Sequence, residues 1–126
     1  MSSHASTIES HLGHYAKFDH DIFTALNTAF LHDSALIIVP AKTCITEPIH
    51  LLFIASQQEV SSYPRSLVVS GPDSKVTLIE DYVSINQSSY ITNTVTEIRL
   101  AAHAQVEHIR VQRDSKQAHH LANCAV

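Results

Sequence analysis

Beyond His32 the chain carries no sustained helical period. It breaks instead into nine short runs: "ALIIVP", "TCIT", "PIHLLFIA", "SLVVS", "KVTLIED", "SYIT", "NTVTEIRL", "QVEHIRVQ" and "HHLANCAV". Each is rich in Val, Ile and Thr or other apolar residues, and each is bounded by Pro, Gly, Ser, Asn or Asp, which is the pattern of strands. Pro40, Pro48, Pro64 and Pro72 fall between runs or at their ends, where a missing backbone donor is tolerated. The body of the chain, from about residue 35 on, therefore reads as all-β.

The part before it is different. Residues 1–17 are polar and rich in His and Ser, a lead-in that forms a short helix or stays flexible. Ser6 and Glu9 form an S-x-x-E capping box and Gly13 is a plausible stop, giving one or two helical turns. In "DHDIFTALNTAFLHD", Ile22, Leu26, Ala29 and Phe30 recur at helical spacing, which predicts a short amphipathic helix over about 20–31. Phe23 and Phe30 are expected in the core. One partly helical lead-in and one core domain, 18–126, suit a chain of 126 residues.

A weak echo runs through the strands. Val76–Ile79, Val95–Ile98 and Val106–Ile109 each read V-x-x-I, at spacings of nineteen and eleven. Nineteen suits a solenoid coil, and eleven the far side of the same coil. Strands every ~8–12 residues suit a sandwich or barrel as well. No Asn-Gly or Asp-Gly hairpin turn occurs, which leans away from a meander of tight hairpins.

Composition removes whole function classes. Only Gly13 and Gly71 are glycines, so there is no GxGxxG, Walker loop or GxSxG elbow. Eight Lys and Arg against a net charge of −4 leave no basic stripe for nucleic acid. Apolar runs such as 35–39 and 49–55 are too short to span a bilayer. The N-terminus has neither an apolar signal core nor an Arg-rich transit pattern, which makes a cytosolic address the default. Cys44 and Cys124 stand eighty residues apart without a CxxC, and they read as ordinary buried or semi-buried thiols.

Ten histidines invite a metal reading, yet no H-x-H, H-x-x-x-H or HExxH is present. A site would have to be assembled between strands from His108, His119, His120 and Cys124, donors that suit zinc or iron. His119 and His120 are adjacent and face opposite ways in a strand, as do Glu80 and Asp81. A small His-rich, cupin-like β protein or enzyme using His50, His108, His119 or His120 is the alternative function; "EPIHLLF" supplies His50 without a mate two residues on. Glu80, Asp81 and Glu97 are expected to be solvated strand residues or loop caps. No serine stands in an activating constellation.

Several long stretches, in order, resemble one family. "FTALNTAFLHDSALIIVP" (Phe23–Pro40), "EPIHLLF" (Glu47–Phe53), "YPRSLVVSGPDSKVTLIEDYV" (Tyr63–Val83) and "TNTVTEI…A-x-VEH-x-x-VQRDS-x-x-AHH" (Thr92–His120) are similar to the SufB/SufD iron–sulfur cluster assembly proteins, closest to the SufD side. The resemblance runs from about Phe18 to the end. It departs at Ser34 in "LHDSALI", where the family usually shows glycine.

The resemblance implies a right-handed parallel β-helix preceded by one or two short helices, with inward Val, Ile and Leu stacked between coils and the nineteen-residue echo as one coil. It implies a non-enzymatic scaffold that works with a SufB-like partner and a SufC-like ATPase. The Fe–S cluster would be handled by the full complex, and no cofactor is expected on this portion. Family members run several hundred residues, so the chain looks like the first part of the core. The family's docking and cluster residues lie later, and none is carried over. An uncapped C-terminal coil near Ala118–Val126 is expected to promote self-association. The setting implied is cytoplasm, or plastid stroma in a photosynthetic eukaryote.

Overall fold

The computed structural model describes residues 5–19 and 21–126. Two short helices, α1 (Ala5–His11) and α2 (Ile22–Ala29), precede eight strands. The strands are β1 (Ser34–Val39), β2 (Ile49–Ala55), β3 (Ser61–Ser62), β4 (Arg65–Ser70), β5 (Lys75–Ser84), β6 (Ile91–Leu100), β7 (Gln105–Arg113) and β8 (His119–Ala125). Among the described residues every strand pairing is parallel. One sheet, A, runs β1-β4-β6-β8, with the short β3 also on β6; the other, B, runs β2-β5-β7. The chain alternates between A and B, so it winds as a parallel β-solenoid of about three coils. A cupin-like barrel is thereby set aside, because that fold is built from antiparallel strands.

The coil is longer than the echo suggested. Val76 pairs with Val106 and Ile79 with Ile109, thirty positions on, while Val95 pairs with Arg65 in the opposite sheet. Nineteen residues carry the chain from B around to A, and eleven carry it from A to B. Reading nineteen as one coil was wrong, since V-x-x-I marks strands in both sheets and not one repeated position. "TCIT" also forms no strand; only Cys44 bridges, to Lys75, along a longer first corner.

The corners from A to B repeat a backbone device. Lys42, Asp73 and His103 have φ of 58°, 54° and 59° and stack in successive coils. The Lys42 N–H donates to Pro72 O at 2.8 Å, and the Asp73 N–H to Ala102 O at 3.0 Å. The corner thus needs one left-handed residue, which Lys, Asp and His supply at a local cost. His103 is a corner residue and not a strand residue. Gly71 is required by close approach, since a Cβ there would lie 2.6 Å from the Ala41 nitrogen. Ser34 opens β1 and is not among the left-handed residues, so this chain needs no glycine there.

Between the sheets lies the core. Val68, Leu78 and Ile98 form its centre, joined by Ile37, Ile49, Leu51 and Val106. Phe53 stacks on Tyr82, its neighbour one coil on, with ring centroids 4.6 Å apart. Inward aliphatics stack as expected through the first two coils. Where the second coil meets the third the interior turns polar: Tyr82 Oη meets Thr94 Oγ1 at 2.8 Å, and Thr96 donates to Glu80 at 2.9 Å.

The N-terminal segment covers the outer face of sheet A, and it does so through polar contacts. Asp21 caps α2, accepting from the Phe23 N–H at 3.0 Å. The buried residues of α2 are Thr24 and Asn27, whereas Ile22 is 71% and Phe30 58% exposed, with Phe23 and Leu26 also exposed. The expectation of an apolar buried face with Phe23 and Phe30 in the core is therefore corrected. The Asn27 amide donates to Pro64 O (2.9 Å) and Asn93 O (2.8 Å), and Asn93 donates back to Phe23 O (2.7 Å). Position 20, where the helix was expected to start, lies outside the described residues. So do 1–4; Ser6 sits inside α1 and is not its N-cap, although Gly13 does follow the helix at φ 80°.

Candidate functional site

Three carboxylates that looked solvated in the sequence are buried, and two of them organise the molecule. Glu97 points outward from β6 beneath the N-terminal segment. It accepts from the backbone N–H groups of Gly13 (2.8 Å), Tyr15 (2.9 Å) and Ala16 (2.8 Å), and from Arg65 Nε (3.0 Å). The Arg65 and Glu97 side chains are 1% and 0% exposed. Burial pushes the Glu97 carboxyl up, but Arg65 and the three N–H donors outweigh it and hold it below the usual carboxylate range. Arg65 Nη1 continues to Thr28 Oγ1 at 2.9 Å, while its buried Nη2 has no partner among the described residues.

Glu80 is the second, and it faces the bore of the solenoid. Register makes the site: Leu78 pairs with His108 and Glu80 with Arg110, while Thr96 pairs with Cys124 in the opposite sheet. Alternation then points His108 and Arg110 inward from β7 and Cys124 inward from β8. His108 Nε2 lies 3.0 Å from Glu80 Oε2, Arg110 Nη2 3.1 Å from the same oxygen, and Cys124 Sγ 3.8 Å from His108 Nδ1. Burial is the largest influence on Glu80 and raises it, yet hydrogen bonds from His108 and Thr96 and the charges of His108 and Arg110 bring it down to about 2. The Cys124 sulfur and the Glu80 carboxylate push His108 up to about 9 against the opposing effect of burial. At neutral pH the imidazole is then doubly protonated, donating Nε2–H to Glu80 and Nδ1–H to the sulfur.

Of the four candidate metal donors, the structure brings His108 and Cys124 together. His120 also turns inward, but its Nδ1 lies 2.9 Å from Asp114 and its ring meets Tyr82 edge-on, with centroids 4.6 Å apart. His119 faces outward and is exposed. Among the described residues no three His, Cys, Asp or Glu side chains converge as an ion would need. His50, half-exposed, lies 3.2 Å from Asp81 on the outer face of sheet B, where Arg113 Nε also binds Asp81 at 3.0 Å. Both cysteines are exposed, contrary to the expectation of buried or semi-buried thiols.

A cleft of about 930 Å³ opens by Leu51–Ala55 and is lined by Phe53, Tyr63, Tyr82 and Tyr90 among others, and by none of His50, His108, His119, His120 or Cys124. The chemically distinctive set is the one in the bore. Sequence reasoning missed Arg110, Thr96 and Arg65, and the signal that finds them is the thirty-residue register, which the nineteen-residue reading hid.

Residues 53–126 match the SUF system FeS cluster assembly, SufBD core domain, and residues 1–51 match the SufBD protein N-terminal region. The chain belongs to the SufBD family. It is 40% identical to an iron–sulfur cluster assembly SufBD family protein of Synechocystis sp., across 84% of this chain and 26% of that protein. The chain thus spans about a quarter of the length of this SufBD relative. No solved structure matches it. The boundary between the two SufBD matches falls within β2, in the first coil. No helix among the described residues is long and apolar enough to cross a membrane.

Proposed function

We propose that this chain acts as part of a SufD-like, non-enzymatic scaffold in Fe–S cluster assembly, making protein contacts with a SufB-like partner and a SufC-like ATPase in the cytoplasm or plastid stroma. The reading rests on SufBD membership and on one structural observation. The N-terminal segment covers the outer face of sheet A, while no described element packs on that of sheet B. That face carries Leu52 and Ile54 of β2 and Ile109 of β7, all exposed, around the Asp81–Arg113 pair. A rigid apolar face with a charged centre suits a protein partner. The cluster is cargo of the assembled machinery and not a resident cofactor here.

Titration calorimetry of the chain into a purified SufB-like protein, and separately into a SufC-like ATPase, tests this. The expected result is saturable binding to the SufB-like protein, weakened at least about tenfold by Ile109→Lys, a loss typical of a buried interface residue. Absence of binding to either protein would overturn the reading.

A further inference from the structure

The Cys124, His108 and Glu80 side chains form a line that a scaffold role does not use. Cys124 Sγ is 3.8 Å from His108 Nδ1, and His108 Nε2 is 3.0 Å from Glu80 Oε2. Glu80 is itself fixed by Thr96 at 2.9 Å and by Arg110 at 3.1 Å. The sulfur is exposed, whereas the Glu80 side chain is 0% and that of His108 16% exposed. A nucleophile beside an imidazole whose far nitrogen is held by an anchored carboxylate is the arrangement that activates thiols. The groups facing His108 are Glu80 from β5, Arg110 from its own strand and Cys124 from β8.

We propose that Cys124 is a nucleophilic thiol that exchanges with small disulfides, with His108 and Glu80 as its positioning residues. This is a modification site independent of the scaffold reading. The Cys124 thiolate attacks one sulfur of R–S–S–R, the S–S bond breaks, and RS⁻ leaves and takes a proton from solvent or from His108 Nδ1. Cys124 is oxidised to the mixed disulfide, and the departing sulfur is reduced to a thiol. Cys44 lies beside Lys75 on the first corner, so the mixed disulfide is released by an external thiol.

The test uses the chain with Cys44→Ala, glutathione disulfide as probe, and intact-mass detection at about pH 6, where an ordinary thiol is almost wholly protonated. The expected result is one glutathionyl group per chain, on Cys124, removed by dithiothreitol. The folded protein should react faster than a synthetic peptide spanning 119–126. His108→Gln should slow it about fivefold, because the imidazole beside the sulfur is lost, while circular dichroism stays unchanged. Its rate should also fall more steeply as pH drops, which a purely structural role for His108 would not produce. A folded protein no faster than the peptide overturns the proposal, and that arm decides the matter if His108→Gln does not fold. Equal rates in a folded His108→Gln variant also overturn it.

Discussion

At the scale of single residues, buried charge is the dominant feature. The Arg65–Glu97 pair ties the N-terminal segment to sheet A, and its removal leaves one buried ion without a partner. Glu97→Gln is expected to cost about 3–5 kcal/mol, measured by urea denaturation. Gly71→Ala, which drives a methyl into the neighbouring corner, is expected to cost about 1–3 kcal/mol. The bore supplies a pH signature. Glu80's stabilisation is complete above its ordinary value of 4.5 and is lost as pH falls toward about 2. That of His108 is complete below its ordinary 6.5 and is lost as pH rises through about 9. The urea midpoint should therefore peak between these limits, and His108→Gln should abolish the alkaline limb and shrink the acid one, since His108 also helps hold Glu80 down. An alkaline limb that survives the substitution would remove His108 from the account. None of these charges could be placed from local sequence, because "LIED" and "VTEI" look alike whether a carboxylate faces water or an arginine thirty residues away.

Among the elements, the strands were legible and their grouping was not. Val, Ile and Thr runs with Pro and Ser at their ends located β1, β2 and β4–β8, because side-chain alternation and turn chemistry act locally. The coil length was misread because V-x-x-I recurs in both sheets. Helix α2 was legible in position and inverted in orientation. Periodicity marks an apolar face, but Asn27 satisfies the Pro64 and Asn93 carbonyls and Thr24 accepts from the Asn123 side chain, polar groups that an apolar face would leave without partners. Asn27→Leu, conservative by pattern, is accordingly expected to destabilise the protein by about 1–3 kcal/mol, because Pro64 O and Asn93 O lose their shared donor. Thermal denaturation decides this, and a raised midpoint would show that hydrophobic docking governs α2. At the corners, His103→Gly should be neutral or mildly stabilising, while His103→Val, which disfavours a φ of 59°, should cost about 1–2 kcal/mol.

For the whole molecule, the central feature is a solenoid whose interior changes from aliphatic to ionisable along its length. Ile37, Ile49 and Leu51 fill the first coil; Thr96, His108 and Arg110 occupy the third. This gradient places ionisable side chains in a bore while the outer face of sheet B remains open among the described residues. Every contact in the bore depends on one register. Interstrand nuclear Overhauser effects between backbone protons of β5 and β7 test it directly. The account predicts Val76 beside Val106 and Glu80 beside Arg110 in a parallel pattern. Contacts from Val76 to Val95, or an antiparallel pattern anywhere between these strands, would contradict it.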